Sequence, residues 1–273
     1  MAIPSVIKSV FDSVPLKTYP DHSSPVVSDQ VYYFQGGGNV KLFLGVFNVF
    51  EYEGKIIPTD PISLGTSLIL AFKNGFKLPT PNTSTSNSGI LKMSFYGSPN
   101  NCLPVLIEDN ESRTIRTLDA INNSISTNNI KDIQAKLVND LIDTKFYDVW
   151  ILCLLAEDLP FDTLSQIYDL KDSVMSRAEL IEFKQEVALW HNFSRRYPNL
   201  STSQLSHLYH QRVTEFETDL ELVIDYLQEN HNEILEFKVA GYVIIIDHFL
   251  KSTKLGSVVS SKPFTRKFYD LLN

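Results

Sequence analysis

Cysteine is scarce in this chain of 273 residues, which contains only Cys102 and Cys153. Neither residue has a second cysteine nearby, so the sequence contains no Cys-x-x-Cys redox motif and no cysteine-based metal site. We expect both side chains to be reduced, buried thiols.

A long hydrophobic run is also missing. Residues 149–156 and 239–246 are strongly apolar, but a membrane-spanning helix needs about 20 such residues. Short helices that are apolar on nearly every face are typical of the centre of a helical domain. The first residues lack both the apolar segment of a secretory signal and the arginines of a matrix-targeting presequence. We therefore expect a location on the cytosolic side.

Basic residues do not predominate, because 24 Lys and Arg are set against 32 Asp and Glu, for a formal net charge of -8. Nucleic acids and anionic membranes attract basic surfaces. The composition therefore argues against general binding of nucleic acid or of anionic lipid. The hydrophobic fraction of 43% is that of an ordinary globular protein, so we expect the chain to fold.

The side chains that could hold a metal or perform acid–base chemistry are poorly arranged for either role. His207 and His210 are three residues apart on a predicted helix, but no cysteine or carboxylate stands at a matching offset. Asp219, Glu221 and Asp225 are closely spaced, which on a long amphipathic helix usually marks the solvent-facing side. We expect no metal and no catalytic residue in either group.

The first half of the chain alternates between strand and helix patterns. Residues 41–48 predict a buried strand, and Asp60 followed by Pro61 predicts the start of a helix that ends at Asn74-Gly75. Residues 80–89, rich in Ser, Thr and Asn, predict an exposed loop. The remaining predicted elements are strands at 90–96, 105–107 and 113–117, with Leu103-Pro104 at the entrance to the second of these, and a helix at 118–126.

Long amphipathic runs replace this pattern in the second half, at residues 130–157, 163–196, 201–230 and 233–250. The last run contains the strongly apolar segment 239–246, which predicts a core helix. We therefore predict three parts: an N-terminal arm at 1–40, an α/β domain at 41–128 that contains the exposed loop, and an all-helical domain at 129–273.

Particular segments carry a resemblance to a known family: 7–20, 44–50, 59–61, 73–80 and 103–107. With the order of the predicted elements, they resemble the metaxins, members of the glutathione-transferase-like superfamily. More narrowly, they are similar to the peripheral receptor subunits of the fungal mitochondrial sorting and assembly machinery, the SAM complex. The match covers the first 121 residues and segment 237–244, whereas residues 122–232 match only in helical character.

The resemblance implies a thioredoxin-like N-terminal domain followed by an all-helical domain, as in glutathione transferases. It also implies a non-catalytic protein without a cofactor, peripheral on the cytosolic face of the mitochondrial outer membrane. Such subunits dock on the β-barrel core subunit and on a second metaxin-like subunit. They help to recognise the β-signal of precursor proteins, for which an exposed strand edge or groove could serve by strand addition.

An alternative function is that of a cytosolic glutathione- or thiol-dependent enzyme with the same fold. Such an enzyme would place Ser, Cys or Tyr just after its first strand, where only Tyr52 is available, in a predicted loop flanked by glutamates that raise its pKa. Alignment on Ala120-Ile121 puts Thr117 and Leu118 at the two positions that bind glutathione in active members. Because leucine cannot hydrogen-bond a carboxylate, the sequence disfavours this alternative.

Another open alternative is a different metaxin-like subunit that serves precursor release, a type that often carries a membrane anchor; no anchor is recognisable here. The N-terminal arm is the segment to which we assign partner binding, through Phe11, Val14, Leu16 and Tyr19. Its other possible role is to pack back on its own domain. The sequence does not distinguish these two roles.

Overall fold

A mixed β-sheet forms the first part of the protein. The computed structural model describes residues 31–36, 40–81, 86–94, 97–99, 102–109, 112–170 and 176–273. The strands are β1 (Val31–Tyr33), β2 (Leu42–Val46), β3 (Val49–Tyr52), β4 (Lys55–Pro58), β5 (Gly89–Lys92), β6 (Val105–Asp109) and β7 (Arg113–Arg116). Five of them form one sheet in the order β1-β5-β2-β6-β7, and β3 pairs with β4 in a separate hairpin. Within the sheet, β2 and β5 are parallel and the other neighbours are antiparallel.

One helix crosses the first part, and within the described residues every element after β7 is helical. The helices are α1 (Pro61–Asn74), α2 (Leu118–Asn129), α3 (Ile133–Leu141), α4 (Tyr147–Ala156), α5 (Phe161–Tyr168), α6 (Arg177–Trp190), α7 (Phe193–Arg196), α8 (Thr202–Glu229), α9 (Glu233–Phe249), α10 (Lys254–Ser260) and α11 (Thr265–Tyr269). A π-helical segment, Ile142–Phe146, joins α3 to α4. The predicted order, an α/β part followed by a helical part, is confirmed.

The signals that predicted α1 are present in the structure. The Asp60 carboxylate accepts the backbone N–H of Ser63 at 2.9 Å, as an N-cap does. At the other end, Gly75 has a left-handed φ of 65° and ends the helix. The strand predicted at 41–48 and the position of Pro104 at the entrance to β6 are also confirmed, and the Leu103–Pro104 peptide is cis.

Helix α9 is the core helix of the second part and packs across α1. Its apolar segment 239–246 is buried along its whole length, as predicted. The crossing is close because Gly65 and Gly241 stand at the contact: a Cβ atom added to Gly241 would lie 2.2 Å from the Pro61 carbonyl oxygen. Two backbones can approach this closely only where side chains are absent. The crossing therefore ties the sheet part to the helical part.

Three strands of the first part were not predicted, and neither were α10 and α11 as separate helices. Strand β1 lies within the segment 1–40 that we predicted as an arm, and it pairs antiparallel with β5 at one edge of the sheet. The hairpin of β3 and β4 lies in a stretch that we did not assign, and it places Tyr52 in a strand instead of the predicted loop. Its two turn residues, Glu53 and Gly54, both have positive φ, which matches the right-handed twist of a tight hairpin.

The prediction of an exposed loop at 80–89 is wrong at its C-terminal end. Ser86 and Ser88 are buried, and Gly89 begins β5. The Ser88 hydroxyl donates to the Val40 carbonyl at 2.6 Å and accepts the Leu42 N–H at 3.0 Å. Polar composition is typical of exposed loops, but here a serine satisfies buried backbone groups beside the sheet.

The run predicted at 163–196 is interrupted. Helix α5 ends at Tyr168, where Asp169 takes the left-handed conformation with φ of 57°. A new helix, α6, begins at Arg177, and the hydroxyl of its N-cap residue Ser176 and the side chain of Glu179 form a capping box. Amphipathic periodicity alone did not reveal this break, although the capping-box residues are visible in the sequence.

Candidate functional site

A small cleft of about 220 Å³ lies between the sheet part and the helical part, and we call it the closed cleft. Its lining includes Cys102, Thr117 and Leu118 from the first part, with Asp143 and His191 from the second. Thr117 and Leu118 are the positions that the sequence alignment on Ala120-Ile121 matched to the glutathione-binding pair of active glutathione transferases. The closed cleft is therefore the place to look for a catalytic site.

The carboxylate of Asp143 enters the cleft from the π-helical segment Ile142–Phe146. Its two oxygens accept hydrogen bonds from the buried ammonium group of Lys238, both at 2.7 Å, and Asn139 adds a further bond at 3.0 Å. The same ammonium donates to the Asn139 amide oxygen at 2.7 Å. Because the charge is balanced and its hydrogen bonds are made internally, Asp143 is not a free general base.

His191 is buried, and both ring nitrogens have partners. The Tyr147 hydroxyl lies 2.8 Å from Nδ1, and the Tyr168 hydroxyl lies 2.9 Å from Nε2. Burial, and secondarily the positive charge of Arg196, lowers the pKa of His191 to about 3. Burial also raises the pKa of both tyrosines. These groups are neutral near pH 7, and the imidazole has no free nitrogen with which to take a proton from a substrate.

Asp148 and Arg196 form the charged wall of the cleft. The guanidinium donates to one oxygen of Asp148 at 3.0 and 2.6 Å, and the Tyr197 hydroxyl donates to the other oxygen at 2.7 Å. Arg196 also donates to the backbone carbonyl of His191 at 3.2 Å and lies over the Tyr147 ring, 5.2 Å from its centroid. Among the described residues that line the cleft, Arg196 has the one guanidinium that could bind an anion, and it is already engaged by the protein.

The two thiols are free, as predicted, but only Cys153 is fully buried. Cys102 is half-buried; its Sγ donates to the Trp190 carbonyl at 3.1 Å and accepts from the Asn192 amide at 3.4 Å. Burial, followed by the charge of Asp119, raises the pKa of Cys102. Burial raises the pKa of Cys153 to about 11. A reactive cysteine needs a lowered pKa, so neither thiol is activated.

Tyr52 has no features of a nucleophile. It lies in β3, partly buried, with its ring 5.1 Å from that of Tyr269 and 6.3 Å from that of His248, measured between centroids. Burial, followed by the charge of Glu53, raises its pKa, which confirms the predicted direction. It is therefore a packing residue between the hairpin and the end of the helical part.

The two histidines of α8 face solvent, as do Glu221 and Asp225, whereas the side chain of Asp219 is mostly buried, contrary to the prediction. His207 and His210 are exposed, as predicted, and Glu221 pairs with Lys262 at 2.6 Å. Asp219 pairs with Lys145 at 3.0 Å, and Asp225 is exposed. Within the described part of the chain, no group of three or more His, Cys, Asp or Glu is placed to hold a metal ion.

Two further observations concern binding to membranes and proteins. None of the helices in the described ranges combines the length and the apolarity needed to cross a membrane. Strand β7 lies at an edge of the sheet, next to β6 alone among the described strands, and its Ile115 is 44% exposed. The predicted partner-binding residues lie outside the described residues: Phe11, Val14, Leu16 and Tyr19.

Comparison with known proteins gives two matches. Residues 1–108 match the family model described as SAM35, a subunit of the SAM complex. Over 312 aligned residues the chain is 27% identical to the sorting assembly machinery 35 kDa subunit of Saccharomyces cerevisiae, and the alignment covers 96% of this chain and 93% of that protein. These matches confirm the resemblance predicted from the sequence: this chain is similar to the SAM35 family over residues 1–108 and to the yeast 35 kDa subunit along nearly its whole length.

Proposed function

We propose that this chain is a non-catalytic subunit of the mitochondrial sorting and assembly machinery, peripheral on the cytosolic face of the outer membrane. The observation that carries the proposal is the alignment with the yeast 35 kDa subunit over 96% of the chain. The closed cleft supports a role without catalysis, because its acid, imidazole, guanidinium and thiol are all engaged within the protein.

The fold that we propose is glutathione-transferase-like, with a thioredoxin-like domain at 41–128 and an all-helical domain at 129–273. The parallel pair β2 and β5 beside the antiparallel pair β6 and β7 supports it, as does the helical character of the second part. In this arrangement the fold is a scaffold, and function resides in surfaces that contact other proteins.

The partners that we propose are the β-barrel core subunit of the machinery, a second metaxin-like subunit and the β-barrel precursors. Strand β7 supports precursor binding, since an edge strand offers unpaired backbone groups to which the β-signal could add as a further strand. The arm residues Phe11, Val14, Leu16 and Tyr19 would contact the barrel.

The test is affinity purification of the tagged chain from gently solubilised mitochondria, followed by a moderate salt wash. We expect the β-barrel core subunit and a second metaxin-like chain to remain bound, because permanent complexes bury large apolar interfaces. Recovery of the chain alone from the cytosolic fraction would contradict the proposal. A glutathione resin serves as the control for the enzyme alternative: we expect flow-through, and elution by free glutathione would favour an enzyme.

A further inference from the structure

A second concave surface, far more open than the cleft, lies between α3 and α8, and we call it the acidic groove. Its volume is about 620 Å³, and Val138 and Tyr226 are among its lining residues. Large apolar side chains stand in solvent there: Leu137 is 67% exposed and Leu222 is 53% exposed. Ile133, one turn before Leu137 on α3, is 73% exposed. Neighbouring apolar side chains left in solvent are a feature of protein-binding surfaces.

The rim of the groove carries acidic charge. Glu221, Asp225 and Glu229 line it from α8, and their spacing of four residues places them on one face of the helix. Glu221 is paired with Lys262. Among the described residues, Asp225 and Glu229 make no salt bridge, and the lining of the groove contains no Lys or Arg. The groove therefore has an apolar floor and a net negative rim.

This combination selects among possible occupants. A second copy of the chain would bring the same acidic rim to the contact, and the two rims would repel each other. An anionic membrane surface would repel the rim for the same reason. A helix with an apolar stripe can lie between two helices, with its side chains seated in the space between them. Lysines or arginines beside that stripe would meet Asp225 and Glu229.

We propose that the acidic groove binds an amphipathic, basic helix presented by another protein. Leucine-like side chains of that helix pack against Leu137 and Leu222, and its flanking cations pair with Asp225 and Glu229. The proposal goes beyond the function proposed above, since it involves neither the sheet edge nor a β-signal and depends on the groove alone.

The test uses the full chain and a fluorescent synthetic peptide of about 18 residues, five turns of helix, built from Leu and Lys with Leu at every third or fourth position. A scrambled peptide of the same composition, without an apolar face, is the first control. We expect the amphipathic peptide to bind, measured by fluorescence anisotropy, at least about tenfold more tightly than the scrambled one.

Two double variants test the two components of the groove. Leu137→Ser with Leu222→Ser removes the apolar floor, and Asp225→Lys with Glu229→Lys reverses the rim. We expect each to weaken binding by about tenfold or more, and the charge reversal also to remove the weakening of binding by added salt.

Matched controls come from α6, which also exposes apolar and acidic side chains. Ile181 is 52% and Leu189 is 63% exposed. The variant Ile181→Ser with Leu189→Ser therefore removes two exposed apolar side chains outside the groove and is the control for Leu137→Ser with Leu222→Ser. Glu182→Lys with Glu186→Lys has the same four-residue spacing and the same change of charge as the rim variant. Neither control should change peptide affinity by more than about twofold.

Hydrogen exchange then locates the peptide on the folded protein. We expect added protection in α3 and α8 on binding, with unchanged α6. The proposal is overturned by equal affinity of the groove variants and the α6 controls, by equal binding of the scrambled peptide, or by protection elsewhere. It is also overturned if the chain forms a dimer that Leu137→Ser with Leu222→Ser abolishes, because the occupant would then be a second copy.

Discussion

The closed cleft and the acidic groove contain similar side chains in opposite situations. Both combine aromatic or aliphatic groups with carboxylates. In the cleft, Asp143 and Asp148 are held by Lys238 and Arg196. In the groove, leucines and carboxylates face water. The charged groups of the cleft are paired within the protein and stabilise the fold, whereas the leucines and carboxylates of the groove can contact a partner. Substitutions in the cleft should therefore change folding, and those in the groove should change binding.

The largest effect is expected where α1 and α9 cross behind the cleft. Gly241→Val places its side chain against the Pro61 carbonyl, which belongs to the backbone and cannot turn aside. We expect the free energy of unfolding, measured with urea, to fall by about 4 kcal/mol or more.

Gly54→Asn is the matched control for that change. Gly54 has a φ of 76°, which asparagine tolerates, and a Cβ atom there would meet nothing within 4 Å. Its loss of stability should stay below about 1 kcal/mol. Equal losses for Gly241→Val and Gly54→Asn would show that the close crossing does not limit stability.

Asp60, at the start of α1, should show the next largest effect. Burial raises its pKa from 3.8 to about 6. A raised pKa means that the protonated acid is favoured in the folded state, so this stabilisation is complete below pH 3.8 and is lost as the pH rises through 6. The corresponding free energy is about 3 kcal/mol. Asp60→Asn keeps an N-cap oxygen and should be more stable than the parent chain at pH 7.5 by up to that amount.

Urea titrations at pH 7.5 and at pH 3.5 check this expectation. The advantage of Asp60→Asn should largely disappear at the lower pH, where the parent aspartic acid is itself neutral when folded. An advantage that is the same at both values would mean that the charge of Asp60 is not its cause.

His191 should show the opposite dependence. Its pKa in the folded protein is lowered to about 3 from the ordinary 6.5. The stabilisation that depends on a neutral imidazole is therefore complete above pH 6.5 and is lost as the pH falls toward 3. Between pH 6.5 and pH 5 the loss amounts to about 2 kcal/mol. Asp60 gains stability over much of the same interval, so the two slopes partly cancel in the parent chain.

His191→Gln keeps a donor and an acceptor between the two tyrosine hydroxyls and removes the titration. Its unfolding free energy should rise on acidification from pH 6.5 to pH 5, while that of Asp60→Asn should fall. Parallel pH profiles for the two variants would contradict the assignment of the two slopes.

The smallest change in stability is expected in the groove. Asp225→Lys with Glu229→Lys alters exposed side chains that make no described salt bridge, so unfolding free energy should change by less than about 0.5 kcal/mol. The same variant should lose most of its affinity for the Leu and Lys peptide. Comparable losses of stability in groove and cleft variants would remove the distinction between the two regions.

Sequence reasoning succeeded where neighbouring residues decide the structure. The Asp60-Pro61 start and the Asn74-Gly75 end of α1 are local signals, and the apolar segment 239–246 had to be buried wherever it packed. It failed at β1 and at Ser88, whose pairing partners lie 46 or more residues away. The hairpin turn at Glu53-Gly54 was a local signal that we did not use. The exposure of the leucines of α3 and α8 was not predicted, because exposure depends on what packs against a helix.

The amino-acid sequence was enough to predict the order of an α/β part and a helical part, the scarcity of cysteine, the poor fit to an enzyme and the resemblance that the SAM35 matches confirm. That information comes from composition, periodicity and short motifs, which involve residues close together in the sequence. The three-dimensional fold was needed to show that Asp143 pairs with Lys238, that His191 lies between two tyrosine hydroxyls, and that the acidic groove is open to solvent. The reason is physical: burial and charge pairing are properties of residues brought together from distant parts of the chain.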